Sequence, residues 1–131
     1  VRKAATDFPS LNVTAAWWDN TWHVTVGARP LRATLLQGEA CGLTSEQPSE
    51  DELRALAASV RSLSYGTNMW GSADYRRRIS APLAIQAVRR TAGIELSAAL
   101  ARELEGVQIP KFATDEYSCR RVPGVDSSEV R

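Results

Sequence analysis

Alternation of apolar and polar residues in LNVTAAWWDNTWHVTVG predicts a β-hairpin near the start of the chain. Asp19-Asn20 would form its two-residue turn, because both residue types tolerate a positive φ. This turn pairs apolar residues on one face, namely Trp17 with Trp22, Ala15 with Val24 and Val13 with Val26. The other face then carries Asn12, Thr14, Thr21, His23 and Thr25, together with Ala16 and Trp18. A third strand is predicted over residues 31–36, LRATLL.

Helical periodicity follows the strands. Ser49 and Glu52 have the spacing of a capping box, and an apolar stripe continues through Leu53, Leu56, Val60 and Leu63. We expect this helix to end near Ser64, with Gly66 as its stop signal.

A second helix is predicted after Ser72, a suitable N-cap, with Asp74 in its first turn. Tyr75, Ile79, Leu83 and Ala87 form its apolar row. Pro82 is expected to kink this helix or to let Ser80 cap a second segment. A third helix is predicted over residues 94–105, with Gly106 as its stop.

Strands first and helices afterwards predict an α+β fold. We expect a small antiparallel sheet of three to four strands with about three helices packed on one face. Residues 1–106 would form this single domain. Residues 107–131 show no sustained period and are predicted to be an irregular tail.

Charge, cysteine content and hydropathy narrow the possible classes of function and the compartment. The 131 residues carry a formal net charge of +1, which does not call for a polyanionic partner. Cys41 and Cys119 are too few and too far apart for a zinc or iron–sulfur site, and a disulfide between them stays open. No secretory signal or bilayer-spanning run is visible, so we expect a cytoplasmic protein. The chain begins with valine, as a fragment or a processed piece would.

Candidate catalytic groups have structural explanations. His23 is the one histidine, and the hairpin register puts it on the polar face without a nucleophile nearby. The acids at 50–52 open a helix, where negative charge is favoured. The sequence has neither a P-loop nor a GxGxxG after a strand. We therefore expect this chain alone to hold no catalytic or metal site.

Arginine and tryptophan are the remaining candidates for binding. Arg76, Arg77 and Arg78 are consecutive, so they spread around a helix by about 100° each. A solvated or ion-paired surface is the first interpretation, a protein or cofactor contact the second and nucleic acid the third. Trp18 would be exposed on the polar face, which suggests a covering partner. Trp70 could be an interface anchor.

Three stretches resemble one family, the FAD-binding medium subunit of molybdenum hydroxylases such as carbon monoxide dehydrogenase and xanthine dehydrogenase. The helix-entry stretch GTNMWGSADYRRRISAPLAIQAVRR matches at Ser72, Ala73, Asp74, Tyr75, Arg76, Arg77, Arg89 and Arg90. The strand stretch VTVGARPLRA matches at Gly27, Pro30, Arg32 and Ala33, and the linker stretch RKAATDFPSLNVTAAW matches at Arg2, Lys3 and Asp7. The resemblance runs in order from residue 2 to residue 91.

The resemblance implies the C-terminal α+β domain of this flavoprotein subunit. Its partners would be a molybdopterin-binding large subunit and a [2Fe–2S] small subunit, which pass electrons to FAD. Asp7, and more weakly Arg2 and Lys3, would lie near the flavin. Tyr75 would pack, and Arg76 would bridge loop and helix.

Two departures from the family limit what the resemblance implies. The glycine-rich lobes that bind FAD are absent from this chain, so it should bind flavin poorly by itself. The family also ends soon after the second basic pair, whereas this sequence continues for about forty residues. A free-standing protein-binding module of the same fold is the alternative function, and a nucleic-acid-binding regulator is the third.

Overall fold

The computed structural model describes residues 8–105, and they form the expected α+β fold. The strands are β1 (Asn12–Trp18), β2 (Thr21–Gly27) and β3 (Thr34–Gln37), in the order β1-β2-β3 with antiparallel pairing throughout. A short 3-10 helix, Gly38–Cys41, is followed by α1 (Glu50–Arg61), α2 (Ala73–Ala92) and α3 (Ala98–Glu105). Within the described part of the chain, no helix combines the length and apolar composition needed to cross a membrane.

The hairpin has the predicted turn and register. Asp19 and Asn20 both have positive φ, 52° and 53°, which matches the twist of the flanking strands. Trp17 pairs with Trp22, and their rings lie 5.6 Å apart in a tilted arrangement. The Trp22 side chain is fully buried, and its indole N–H donates to the Ser45 carbonyl at 2.8 Å. One face of the hairpin therefore packs against the core.

The core lies between the inner sheet face and the helices. Its buried apolar side chains include Trp22, Val24 and Val26 from β2, Leu53, Leu56 and Val60 from α1, and Ile79, Ile85 and Val88 from α2. The predicted stripe of α1 is thus the buried one. Leu100 adds α3 to the same cluster.

The third strand is later and shorter than predicted. It covers Thr34–Gln37 instead of residues 31–36. The carbonyl of Arg32 accepts a hydrogen bond from the Arg29 side chain at 2.7 Å. This local bond holds the chain in a bend after Pro30, so strand pairing starts only at Thr34.

Helix α1 begins with the predicted capping box, and Ser49 and Glu52 each bond the other's backbone N–H. It ends at Arg61, before the expected Ser64. Gly66 is not its stop signal. Ser62 caps α1 with right-handed backbone, and Gly66 lies beyond it in a loop.

Helix α2 is one segment from Ala73 to Ala92, so Pro82 does not divide it. The Ser80 hydroxyl donates to the Arg77 carbonyl at 2.7 Å and caps no second helix. The helix ends at Gly93, whose φ of 68° forms a left-handed C-cap that the sequence interpretation missed.

Helix α3 starts at Ala98, four residues later than predicted. The Ser97 hydroxyl accepts from the Leu100 N–H at 3.2 Å, as an N-cap does. Gly106, the predicted tail and Cys119 lie outside the described residues. Cys41 is a free, buried thiol.

Glu52 also bonds the connector ahead of α1. Its carboxylate accepts hydrogen bonds from the Thr44 N–H and hydroxyl at 2.8 and 2.6 Å, and from the Ser45 hydroxyl at 2.9 Å. Burial alone would raise the pKa of this carboxyl, but the hydrogen bonds from Thr44, Ser49 and Ser45 outweigh it and lower the pKa to about 2.

We predict that Glu52→Gln lowers the free energy of unfolding at pH 7 by about 1–2 kcal/mol, because the donors lose a charged acceptor. The folded pKa lies below the unfolded one, so this stabilisation is present above about pH 4.3 and disappears as the pH falls toward 2. Urea unfolding between pH 7 and pH 2 should show a flatter acid limb for the variant. Glu46→Gln, at an exposed position, is the control; equal acid limbs for wild type and Glu52→Gln would contradict the prediction.

Candidate functional site

The helix-entry motif forms the start of α2. The Ser72 hydroxyl accepts from the Tyr75 N–H at 3.1 Å, as predicted for an N-cap. The Thr67 hydroxyl accepts from the Ala73 N–H at 2.9 Å, which satisfies another free donor of the first turn. Asp74 is exposed in that turn and lies 3.6 Å from Arg77. The first turn of α2 is thus bound to the loop that precedes it.

Arg76 points inward and is 1% exposed. Its Nε donates to the Ser10 carbonyl at 2.7 Å, and one terminal nitrogen donates to the Asn68 side-chain oxygen at 2.6 Å. The other terminal nitrogen donates to the carbonyls of Gly66, at 2.8 Å, and of Gly71. We call this set of residues, Ser10, Gly66, Asn68, Gly71 and Arg76, the arginine clasp.

Neutral oxygens surround the buried guanidinium. Among residues 8–105, no carboxylate lies within salt-bridge distance of Arg76. Burial lowers the pKa of this guanidinium. A buried charge without a counterion is tolerated only when its donors are hydrogen-bonded, so the clasp fixes the positions of its carbonyls closely.

The segment that leads into β1 is held at the clasp. Besides accepting from Arg76, Ser10 donates its hydroxyl to the Trp70 carbonyl at 3.0 Å. The Phe8 and Trp70 rings meet edge to face at 6.5 Å. The loop before α2 therefore contacts the segment just ahead of the sheet in two ways, through the hydrogen bonds of Ser10 and through the ring contact of Phe8.

Arg29 is a second buried arginine, 6% exposed, and the sequence interpretation missed it. Its side chain donates to the carbonyls of Ser64 and Arg32 and to the Thr34 hydroxyl. Its own carbonyl accepts from the Gly66 N–H at 2.7 Å. The only sequence signal was its place inside the matched stretch VTVGARPLRA, where neighbouring residues carried the resemblance.

Gly66 lies between the two arginines. Its N–H bonds the Arg29 backbone and its carbonyl bonds the Arg76 side chain. A Cβ added here would lie 3.2 Å from the Arg29 carbonyl and 3.5 Å from the Pro30 ring. The strand motif therefore meets the helix-entry motif at Gly66, although Arg32 and Ala33 of that motif are exposed.

The remaining arginines diverge around the helix, as the consecutive numbering predicts. Arg77 lies over the Tyr65 ring at 5.7 Å, and Arg78 is exposed. Arg89 bonds the Ile94 carbonyl at 3.1 Å and Glu95 at 2.8 Å beyond the C-terminal end of α2. Arg76 itself is buried, so neither the solvated-surface interpretation nor a subunit or nucleic-acid contact describes it.

Tyr75 packs against the core, whereas Trp18 lies elsewhere. Trp18 is 70% exposed, and its ring lies 5.5 Å from that of His23 in a tilted arrangement. The Thr91 hydroxyl bonds the Ala15 carbonyl at 3.3 Å, so the middle of β1 lies beside the last turns of α2. Strand β1 begins two residues after Ser10 and spans about 20 Å to Trp18, which separates Trp18 from the clasp.

The other predicted site residues have simple placements. Trp70 is half-buried in the loop of residues 62–72 between α1 and α2, which we call the clasp loop. His23 shares a hydrogen bond of 2.9 Å with Gln37 on the sheet. Arg2, Lys3 and Asp7 lie outside the described residues. No group of His, Cys, Asp and Glu within residues 8–105 could hold a metal ion.

The arginine clasp can position the chain, since it consists of backbone carbonyls, an amide and a guanidinium, none of which is a nucleophile or a base. Comparisons with protein-family models, with characterised proteins and with solved structures find no match to this chain. The function of this chain is therefore inferred from the geometry of its described residues.

We predict that Arg76→Met lowers the free energy of unfolding by about 3–5 kcal/mol, because it leaves several buried carbonyls without donors. Arg76→Lys should recover only part of this loss, since one ammonium cannot match the fork of a guanidinium. Urea unfolding of these variants and of Arg78→Met, an exposed neighbour, measures the difference. If Arg76→Met does not fold, the comparison of Arg76→Lys with wild type tests the prediction instead. Equal free energies of unfolding for these two proteins would refute the role of the clasp.

Proposed function

We propose that this chain is the C-terminal domain of the FAD-binding subunit of a molybdenum hydroxylase and that it supports flavin placement and subunit assembly. One observation carries the proposal. The three stretches that resemble the flavoprotein family meet at the arginine clasp, where Ser10 of the linker stretch and Arg29 and Pro30 of the strand stretch contact Arg76 and Gly66 of the helix-entry stretch.

This convergence supports a common origin for the three matches. The linker and strand stretches are neighbouring strands of one hairpin, but the helix-entry stretch is distant from both in sequence. Gly66 of that stretch bonds Arg29, and Arg76 bonds Gly66 and Ser10. Arg76 thus bridges loop and helix, which is the role that the resemblance gives to it.

The clasp suggests how the domain would serve a flavin. Ser10 is fixed by two hydrogen bonds, and three residues of chain span at most about 10 Å. The clasp therefore limits the space that Asp7 can reach. A carboxylate held near a flavin disfavours the electron-rich reduced form, which makes Asp7 a tuning group in this proposal.

Catalysis would lie in other parts of the complex. FAD, when bound, supplies an acceptor for electrons that arrive from the molybdopterin subunit through the [2Fe–2S] subunit. This chain would contribute the linker, fixed to the domain at Ser10, with Arg2 and Lys3 as further groups near the flavin. Substrate choice would rest with the molybdopterin subunit.

A free-standing protein-binding module is the second candidate. The exposed Trp18 ring on the sheet favours it, because large exposed indoles are enriched at protein interfaces. Nucleic acid is less favoured, since Arg76 is buried and Arg77 already contacts Tyr65 and Asp74. A tight, salt-sensitive DNA complex would reverse that order.

The decisive experiment starts from the complete coding region, read upstream of Val1 and expressed with its neighbouring genes. We expect an in-frame domain with glycine-rich loops and a purified complex that carries stoichiometric FAD by absorbance. Asp7→Asn should raise the midpoint potential of that flavin, because it removes a negative charge from its surroundings. Asp51→Asn, on the exposed side of α1, is the matched control.

Two outcomes would overturn parts of the proposal separately. A complete gene product that retains no flavin with its neighbours present refutes the oxidoreductase assignment. Flavin that is bound with an unchanged midpoint potential in Asp7→Asn removes the tuning role and leaves the assignment intact.

A further inference from the structure

The outer face of the sheet carries no Asp, Glu, Lys or Arg side chain. Its outward positions alternate with the buried ones, and they are Asn12, Thr14, Ala16 and Trp18 on β1, Thr21, His23 and Thr25 on β2, and Leu35 and Gln37 on β3. We call this set the outer sheet face. Charged residues make up 24% of the chain, so a surface sheet without one is unusual for this composition.

Two large apolar side chains stand out on this face. Trp18 is 70% exposed and Leu35 is 50% exposed. The Trp18 ring lies 5.5 Å from the His23 ring in a tilted arrangement, and the His23 ring in turn bonds the Gln37 amide at 2.9 Å. These contacts hold the aromatic pair in place, so little side-chain entropy is lost when something covers it.

We propose that the outer sheet face binds a second copy of the same face, which forms a reversible two-fold dimer. A charged partner surface would have to bury its charges against a face that offers no countercharge, at a large desolvation cost. The occupant must therefore also be uncharged, with apolar groups and hydroxyls. The outer sheet face itself meets this requirement, and a two-fold axis brings it onto itself without like-charge contacts.

The positions of the apolar residues fit such an axis. Trp18 pairs with Thr21 and Leu35 with Thr25, so they lie at diagonally opposite corners. Strand geometry puts these corners about 17 Å apart. A two-fold axis between two faces, perpendicular to this diagonal, sets Trp18 of each copy over Leu35 of the other.

His23 lies at the middle of the same diagonal, on the central strand between Thr21 and Thr25. The axis therefore brings His23 of one copy next to His23 of the other.

The size of the face sets the expected strength. Its outline is roughly 14 Å by 24 Å, or about 340 Å² on each copy. Stable interfaces bury about 800 Å² on each partner. We therefore expect an exchanging dimer whose fraction rises with protein concentration. This inference does not rest on the flavoprotein assignment.

The test is sedimentation velocity of the full chain over a wide concentration range. We expect wild type to shift from monomer to dimer, and Trp18→Glu and Leu35→Glu each to weaken the dimer at least tenfold, because each buries an unpaired charge. Met69→Glu is the matched control, since Met69 is apolar and 82% exposed on the clasp loop. Circular dichroism checks that all variants are folded.

A cysteine cross-link tests the position of the axis. With Cys119 replaced by serine, His23→Cys should give a covalent dimer with a short bismaleimide, whereas Arg61→Cys on α1 should not. A wild-type chain that stays monomeric at every concentration overturns the proposal, even if Trp18→Glu impairs binding to another subunit. A dimer that Trp18→Glu and Leu35→Glu leave unchanged, or equal cross-linking at positions 23 and 61, overturns it as well.

Discussion

A buried guanidinium with neutral partners is the constraint on which the rest of this structure depends. Arg76 is desolvated, and the carbonyls of Ser10, Gly66 and Gly71 with the Asn68 amide replace its water. A carboxylate could have satisfied the same charge from many directions, because Coulomb attraction depends weakly on angle. Carbonyl dipoles must point at the N–H groups, so the charge dictates the backbone course of the loop and of the segment before β1.

Arg29 extends this constraint to the sheet. Its carbonyl and side chain bind Gly66, Ser64 and Arg32, so the loop between α1 and α2 is held from the strand side as well as from α2. The two arginines meet through Gly66, where a Cβ would press against the Arg29 carbonyl. Deleting either arginine would thus loosen the same loop. Their effects on stability should not be additive, because they share a partner.

Local interactions were readable from the sequence, and distant ones were not. The hairpin register follows from the Asp19-Asn20 turn, and the caps at Ser49 and Ser72 follow from spacing within one turn of helix. The bridge that Arg76 makes between loop and helix was expected only through the family resemblance, and its burial was not predicted. The burial of Arg29 depends on a bond to Ser64, which is distant in sequence, and the delayed start of β3 follows from the bond that the same side chain makes to Arg32; periodicity encodes neither. The continuity of α2 through Pro82 was not predictable from the local sequence either, because the packing of a long buried helix outweighs the missing backbone bond.

The clasp and the outer sheet face are physically independent surfaces of one fold. The clasp lies at the start of α2 and just ahead of β1, whereas Trp18 lies at the other end of β1, on the side of the sheet away from the helices. A change at Trp18 removes no partner of Arg76, so its effect on stability should add to that of a clasp variant.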